Sequence, residues 1–162
     1  MSHQNIVFIG AGAIGTSLGN SLVKNPTLDV TLVSIEEEVV SSISEQHVNQ
    51  KYFPGVALNH RLKATLSTEP VHSAGFIFMA IPSVETVRYL KEHQDIIPPQ
   101  AIIVNLAKGF GEHNCTIIRC LKGKIGVENN LSYLIFCISA YRGTAAVSYF
   151  KLYLSACCGL NG

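Results

Sequence analysis

Gly10, Gly12 and Gly15 stand in the run Gly10-Ala11-Gly12-Ala13-Ile14-Gly15, directly behind an apolar stretch at residues 5–9. Apolar residues at helical spacing follow over residues 13–24, ended by Asn25-Pro26. A G-x-G-x-x-G between a strand and a helix has a mechanical meaning. The first glycine permits a tight turn, the second lets main chain approach a pyrophosphate, and the third lets helix and strand pack closely. The helix start, at Ala13 and Ile14, would present free N–H groups and the positive end of the helix dipole to the phosphates. The alternative for such a run is a glycine-rich turn that only packs.

The same pattern calls for an acidic residue about 20 positions further on, at the end of the second strand, to accept the hydroxyls of an adenosine ribose. Glu36 falls there, with Ser34 and Ile35 in the same turn and no arginine near. A carboxylate at that place repels a 2′-phosphate, which favours NAD over NADP. The competing reading of Glu36, Glu37 and Glu38 is a solvated acidic first turn of a helix.

Two further strand ends carry candidates, because ligands of open α/β sheets sit beyond the carboxyl ends of the strands. Pro82, in Ala80-Ile81-Pro82-Ser83, closes one strand and is expected to line the cofactor channel, with Ser83 placed to cap the helix behind it. Lys108 closes the next, beside Gly109, where a cation could hold a phosphate or oxyanion. The six histidines are scattered without metal-ligand spacing, and no G-x-S-x-G is present. The five cysteines form no C-x-x-C pair, and their odd number points to reduced thiols and a cytoplasmic setting.

These residues need a frame. Residues 5–9, 30–33, 61–66, 76–81 and 101–106 read as strands, and residues 13–24, 36–46, 84–93 and 116–121 as helices. Such alternation predicts an α/β fold: a Rossmann-type, doubly wound, mostly parallel sheet with helices on both faces. In 162 residues, 48% are hydrophobic and 14% charged, which excludes a disordered chain. Twelve basic and eleven acidic residues give a net charge of +1 without a basic block, so neither nucleic acid nor an anionic membrane is an expected partner. The N-terminal apolar run is too short for a targeting segment and reads as a strand. From Leu131 the only charges are Arg142 and Lys151. We therefore expect a dinucleotide-binding domain over residues 1–130. An apolar tail over 131–162 would contribute a last strand over 131–141 or a contact between copies in a homo-oligomer.

Several segments together resemble the coenzyme domain of the NAD(P)-dependent glycerol-3-phosphate dehydrogenases. They are the glycine loop continued as Thr16-Ser17-Leu18, Tyr52-Phe53-Pro54-Gly55-Val56-Ala57-Leu58, Ala80-Ile81-Pro82-Ser83, and Ala107-Lys108-Gly109. The resemblance runs from Ile6 to Cys120. It implies hydride transfer between NAD and sn-glycerol 3-phosphate or dihydroxyacetone phosphate, with Lys108 touching substrate and nicotinamide. Two departures stand out. Ile14 replaces an aromatic of the glycine loop, and Cys137-Ile138-Ser139-Ala140-Tyr141-Arg142 stands where the family has G-P-[ST]-F-A. The resemblance also implies that the general base lies in a further helical domain that these residues do not include. A non-catalytic NAD-binding module is the alternative reading. A reductase of imino or keto acids is disfavoured by the segment from Tyr52 to Leu58.

Overall fold

The structure is a computed structural model and describes residues 3–107 and 133–135. In chain order the elements are β1 (Gln4–Ile9), α1 (Ala13–Leu22), β2 (Leu28–Val33), α2 (Glu37–Gln46) and β3 (Lys63–Thr65). A 3-10 turn (Glu69–Ser73), β4 (Phe76–Met79), α3 (Ser83–Glu92), a second 3-10 turn (Gln94–Ile96), β5 (Ile102–Asn105) and β6 (Tyr133–Ile135) complete it. The sheet order is β3-β2-β1-β4-β5-β6, and every pairing is parallel. This is the order of the dinucleotide-binding doubly wound fold, with its direction reversing between β1 and β4.

Strand alternation divides the core in two. Ile6, Phe8, Val30, Leu32, Phe76 and Phe78 face one side, where Leu18 and Leu22 of α1 and Val39 and Ile43 of α2 cover them. Val7, Ile9, Ile77 and Met79 face the other, under Val87 and Leu90 of α3. Both faces of these strands are therefore buried, which explains why they read as continuous apolar runs rather than alternating ones. At the reversal point Phe8 and Phe78 are in register, and their rings stack with centroids 4.5 Å apart. Such a pair contributes about 1 kcal/mol beyond its buried area.

The sequence-based boundaries shift by one or two residues at most elements, strand β3 shrinking from 61–66 to Lys63–Thr65. Helix α1 ends at Leu22 rather than 24, because Asn25 turns the chain back, its N–H donating to the Leu22 carbonyl at 3.0 Å. Strand β4 ends at Met79 rather than 81, since Ala80 and Ile81 turn toward α3. Pro82, not Ser83, is the N-cap of α3 and no side chain caps it. Instead the Thr86 hydroxyl donates back to the Pro82 carbonyl at 3.2 Å. Strand β6 lies inside the stretch 131–141. The rest of that stretch and the helix expected at 116–121 lie outside the described residues.

Candidate functional site

Parallel pairing puts the carboxyl ends of all strands on one edge, and the register aligns them. Thr65 pairs with Val33, Val33 with Ile9, Ile9 with Met79, Met79 with Asn105, and Asn105 with Ile135. The residues that follow these ends, Leu66, Ser34, Gly10, Ala80 and Leu106, therefore form one row above the sheet. The glycine loop stands in the middle of that row.

Each glycine of the loop meets a different constraint. Gly10 has φ +108°, and a Cβ there would lie 2.7 Å from the Ala80 carbonyl oxygen and 2.8 Å from Cγ2 of Ile81. A Cβ on Gly15 would lie 2.3 Å from the Gly10 oxygen and 3.2 Å from Cβ of Ala80. Both positions hold the loop tightly against the end of β4. Gly12 differs: nothing lies within 4 Å of a Cβ placed on it. It is the N-cap of α1, without a side-chain cap and without an acidic residue in the first turn. The first N–H groups of a helix have no intrahelical acceptor. Beside Gly12 they face open space, with Ala13 and Ile14 exposed. An uncapped helix start of this kind can receive an anion, and a side chain at Gly12 would enter the open space before it.

Beyond β2 the buried Ser34 accepts the Glu36 N–H on Oγ at 3.2 Å, which turns the chain into α2. Ile35 is left 99% exposed, an apolar surface at the mouth of the row. Glu36 does not stand as a bare carboxylate. Tyr52 donates its hydroxyl to Oε1 at 2.6 Å, and the Lys51 ammonium bonds Oε2. The same ammonium reaches Oε1 of Glu38 at 2.8 Å. These bonds, Lys51 first and Tyr52 second, hold the Glu36 carboxyl below the usual carboxylate range. In return the Lys51 ammonium is held more firmly protonated than an ordinary lysine. The sequence reading did not find Lys51, because it lies in the connection after α2 and no local pattern points from there to Glu36. Tyr52 was visible only through the family resemblance, which gave it no role.

Asn49 was missed as well. It is fully buried, and its Nδ2 donates at 2.8 Å both to the Ala11 carbonyl and to the Thr16 hydroxyl oxygen. Its Oδ1 accepts the Tyr52 N–H at 3.1 Å. The segment from Asn49 to Tyr52 thus ties the glycine loop to the carboxylate at the end of β2.

Pro82 is exposed at the end of β4, one residue beyond the Ile81 side chain that packs on Gly10. At the end of β5 the Asn105 side chain closes a turn by accepting the Ala107 N–H at 3.2 Å. Lys108 lies outside the described residues. Among the described residues no group of three His, Cys, Asp or Glu side chains could hold a metal ion. No helix among them is long and apolar enough to cross a membrane.

The fold and this edge define a doubly wound α/β domain with a glycine turn and an uncapped helix start at its reversal point. The family model for the NAD-dependent glycerol-3-phosphate dehydrogenase N-terminus matches residues 5–135, and the chain belongs to that family. It is 39% identical over 116 residues to a glycerol-3-phosphate dehydrogenase [NAD(P)+] of Leptospira biflexa, covering 71% of this chain and 34% of that protein. It is 37% identical over 107 residues to the protein of the same name from Corynebacterium glutamicum, covering 65% of this chain and 32% of the relative. The chain thus spans about a third of the length of these relatives. Among solved structures, a glycerol-3-phosphate dehydrogenase of Saccharomyces cerevisiae superposes with a TM-score of 0.71 at 20% identity, over 83% of this chain and 41% of that one. The enzyme of Coxiella burnetii gives 0.69 at 22% identity, over 76% and 38%. At these identities the two structures speak for the fold.

Proposed function

We propose that this chain is the NAD-binding part of a glycerol-3-phosphate dehydrogenase. The observation that carries the reading is the empty space before Gly12, faced by the uncapped start of α1 at the point where the sheet order reverses. The main chain from Gly10 through Ala13 and Ile14 to Gly15 would hold the pyrophosphate, Ile35 the adenine face, and Glu36 the ribose hydroxyls. Pro82 would border the nicotinamide.

Bound NAD supplies a hydride acceptor, and NADH the donor for the reverse direction. The residues here would bind and orient it, with Pro82 at the end of β4 bordering its nicotinamide. In the whole protein the substrate pair would be sn-glycerol 3-phosphate and dihydroxyacetone phosphate. As the secondary alcohol is oxidised, its hydroxyl proton must go to a positioned base. Lys108, next to Ala107 at the end of β5, would contact the substrate phosphate or polarise the ketone oxygen. The odd cysteine count supports a cytoplasmic setting, and the apolar stretch 131–162 supports a homo-oligomer.

Calorimetry with NAD on the 162-residue chain tests the binding, and saturable heat is expected. No binding at millimolar NAD overturns the reading. Oxidation of NADH that depends on dihydroxyacetone phosphate is the companion assay. Binding without turnover marks these residues as the coenzyme half alone, and turnover assigns them catalysis as well. Light scattering at high concentration tests self-association, and a clean monomer contradicts it.

A further inference from the structure

The pair Lys51–Glu36 bears on which coenzyme is admitted, an inference that rests on the dinucleotide reading above. A carboxylate at the end of β2 accepts ribose hydroxyls and repels a 2′-phosphate, and Glu36 stands there with Glu37 and Glu38 behind it. With those three charges alone, NADP would be strongly disfavoured. The fold, however, brings a cation onto the same carboxylate from fifteen residues away, where no motif announces it.

We propose that Lys51 is a specificity-determining residue that lets this ribose site accept a 2′-phosphate as well as a 2′-hydroxyl. An ammonium has three N–H donors. In Lys51 two of them go to Glu36 and Glu38, and the side chain is 46% exposed, so the third is open to a ligand. Bridges between partly exposed groups are weak enough to be exchanged. Lys51 also borders an open depression of about 350 Å³, shared with Val39, Ser42 and Asn49, which gives its flexible stem room to re-aim. Its ammonium stands 5.4 Å from the centre of the Tyr52 ring, a second attraction that keeps it near the site when it leaves Glu36. The Tyr52 hydroxyl grips the other oxygen of Glu36, so the carboxylate stays oriented when Lys51 turns away.

With NAD, the ribose hydroxyls donate to the remaining lone pairs of Glu36 while Lys51 keeps both carboxylates. With NADP, Lys51 turns to the 2′-phosphate and offsets the charge that Glu36 and Glu38 present to it. Lys51 thus acts on one coenzyme more than on the other, which separates this role from a purely structural one.

The test is calorimetric titration of the full chain with NAD and with NADP, for the wild type, Lys51→Met and Lys51→Arg. The wild type is expected to bind both. Loss of a charge-assisted contact to phosphate is expected to weaken NADP in Lys51→Met by about tenfold or more, while NAD changes by less than about threefold. Lys51→Arg keeps the wild-type ratio. The exposed position of Lys51 predicts at most a slight fall in thermal melting for Lys51→Met and none for Lys51→Arg. An NADP-to-NAD ratio unmoved by Lys51→Met overturns the inference, as does a wild type that binds NAD but not NADP. A wild type that does not bind NAD removes the dinucleotide reading itself, and this inference falls with it.

Discussion

Asn49 reaches across the fold to Ala11, donating from Nδ2 to its carbonyl oxygen at 2.8 Å. Thr16 completes the group: its hydroxyl donates to the same carbonyl at 3.1 Å and accepts from Asn49. The turn between the first and second glycines is therefore held from outside by a buried polar side chain that belongs to the connection after α2.

Replacement of Asn49 by alanine removes both donors and leaves the buried Thr16 with one partner fewer. The expected cost is about 2 kcal/mol of folding stability, measured by urea denaturation. NAD binding is expected to weaken as well, because the loop loses its outer support. A melting curve and an NAD titration equal to those of the wild type would show that Asn49 does not position the loop.

The three glycines are expected to separate under substitution. Gly12→Ala meets open space at an ordinary φ of −70°. It should still fold, with a loss of about 1 kcal/mol from the poorer N-cap, yet lose NAD binding. Gly15→Ala places a Cβ against the Gly10 carbonyl and should destabilise the domain by roughly 1–3 kcal/mol. Thermal melting and calorimetry together check this. If Gly12→Ala bound NAD as the wild type does, the pyrophosphate would not lie there.

Acid should loosen the ribose-side clasp. Because Lys51 and Tyr52 lower the Glu36 pKa below its ordinary value of 4.5, the carboxylate favours the folded state above that pH. The contribution is lost as the pH falls from 4.5 through the lower folded value. Glu36→Gln is therefore expected to melt slightly below the wild type at pH 7, and the gap should close on acidification. A gap that widens below pH 4 would contradict the assignment. The effect is small, since these groups are solvent-screened.

Tyr89 offers the opposite case. Its hydroxyl is buried without a hydrogen-bond partner among the described residues, and burial pushes its pKa up to about 12 from 10. Its ring stacks on His93 with centroids 4.0 Å apart, which a phenylalanine retains. Tyr89→Phe is expected to stabilise the fold by about 1 kcal/mol, by removing an unpaired buried polar group. A raised pKa means stability present below pH 10 and falling as the pH rises toward 12. The variant should lose part of that alkaline decline in melting temperature. A destabilised variant would reveal a partner for the hydroxyl.

The glycine turn and the carboxylate after β2 were legible in the sequence as candidates because their signals are local. Gly10, Gly12 and Gly15 are read from backbone requirements within six residues, and Glu36 from its distance along one β-α-β unit. The sheet was legible for a similar reason: strands buried on both faces must be apolar throughout, as residues 76–79 are. The stretch 50–60 had no period to read, and the strand expected from 61 begins only at Lys63. Arg61 shows why. Its guanidinium donates to the carbonyls of Val23 at 2.9 Å and Leu28 at 3.1 Å, joining the end of α1 to the start of β2. Its partners lie more than thirty residues back, and no local pattern encodes such a contact.

The sequence by itself determined the chain's class, because a bare turn between strand and helix and the period of buried strands are properties of neighbouring residues. Only the tertiary structure decided that Asn49 holds the glycine turn and that Lys51 and Tyr52 share Glu36. Those relations depend on how the connection after α2 folds back across the carboxyl edge of the sheet. That path is set by packing and hydrogen bonds between segments distant in the chain, to which side-chain periodicity is blind.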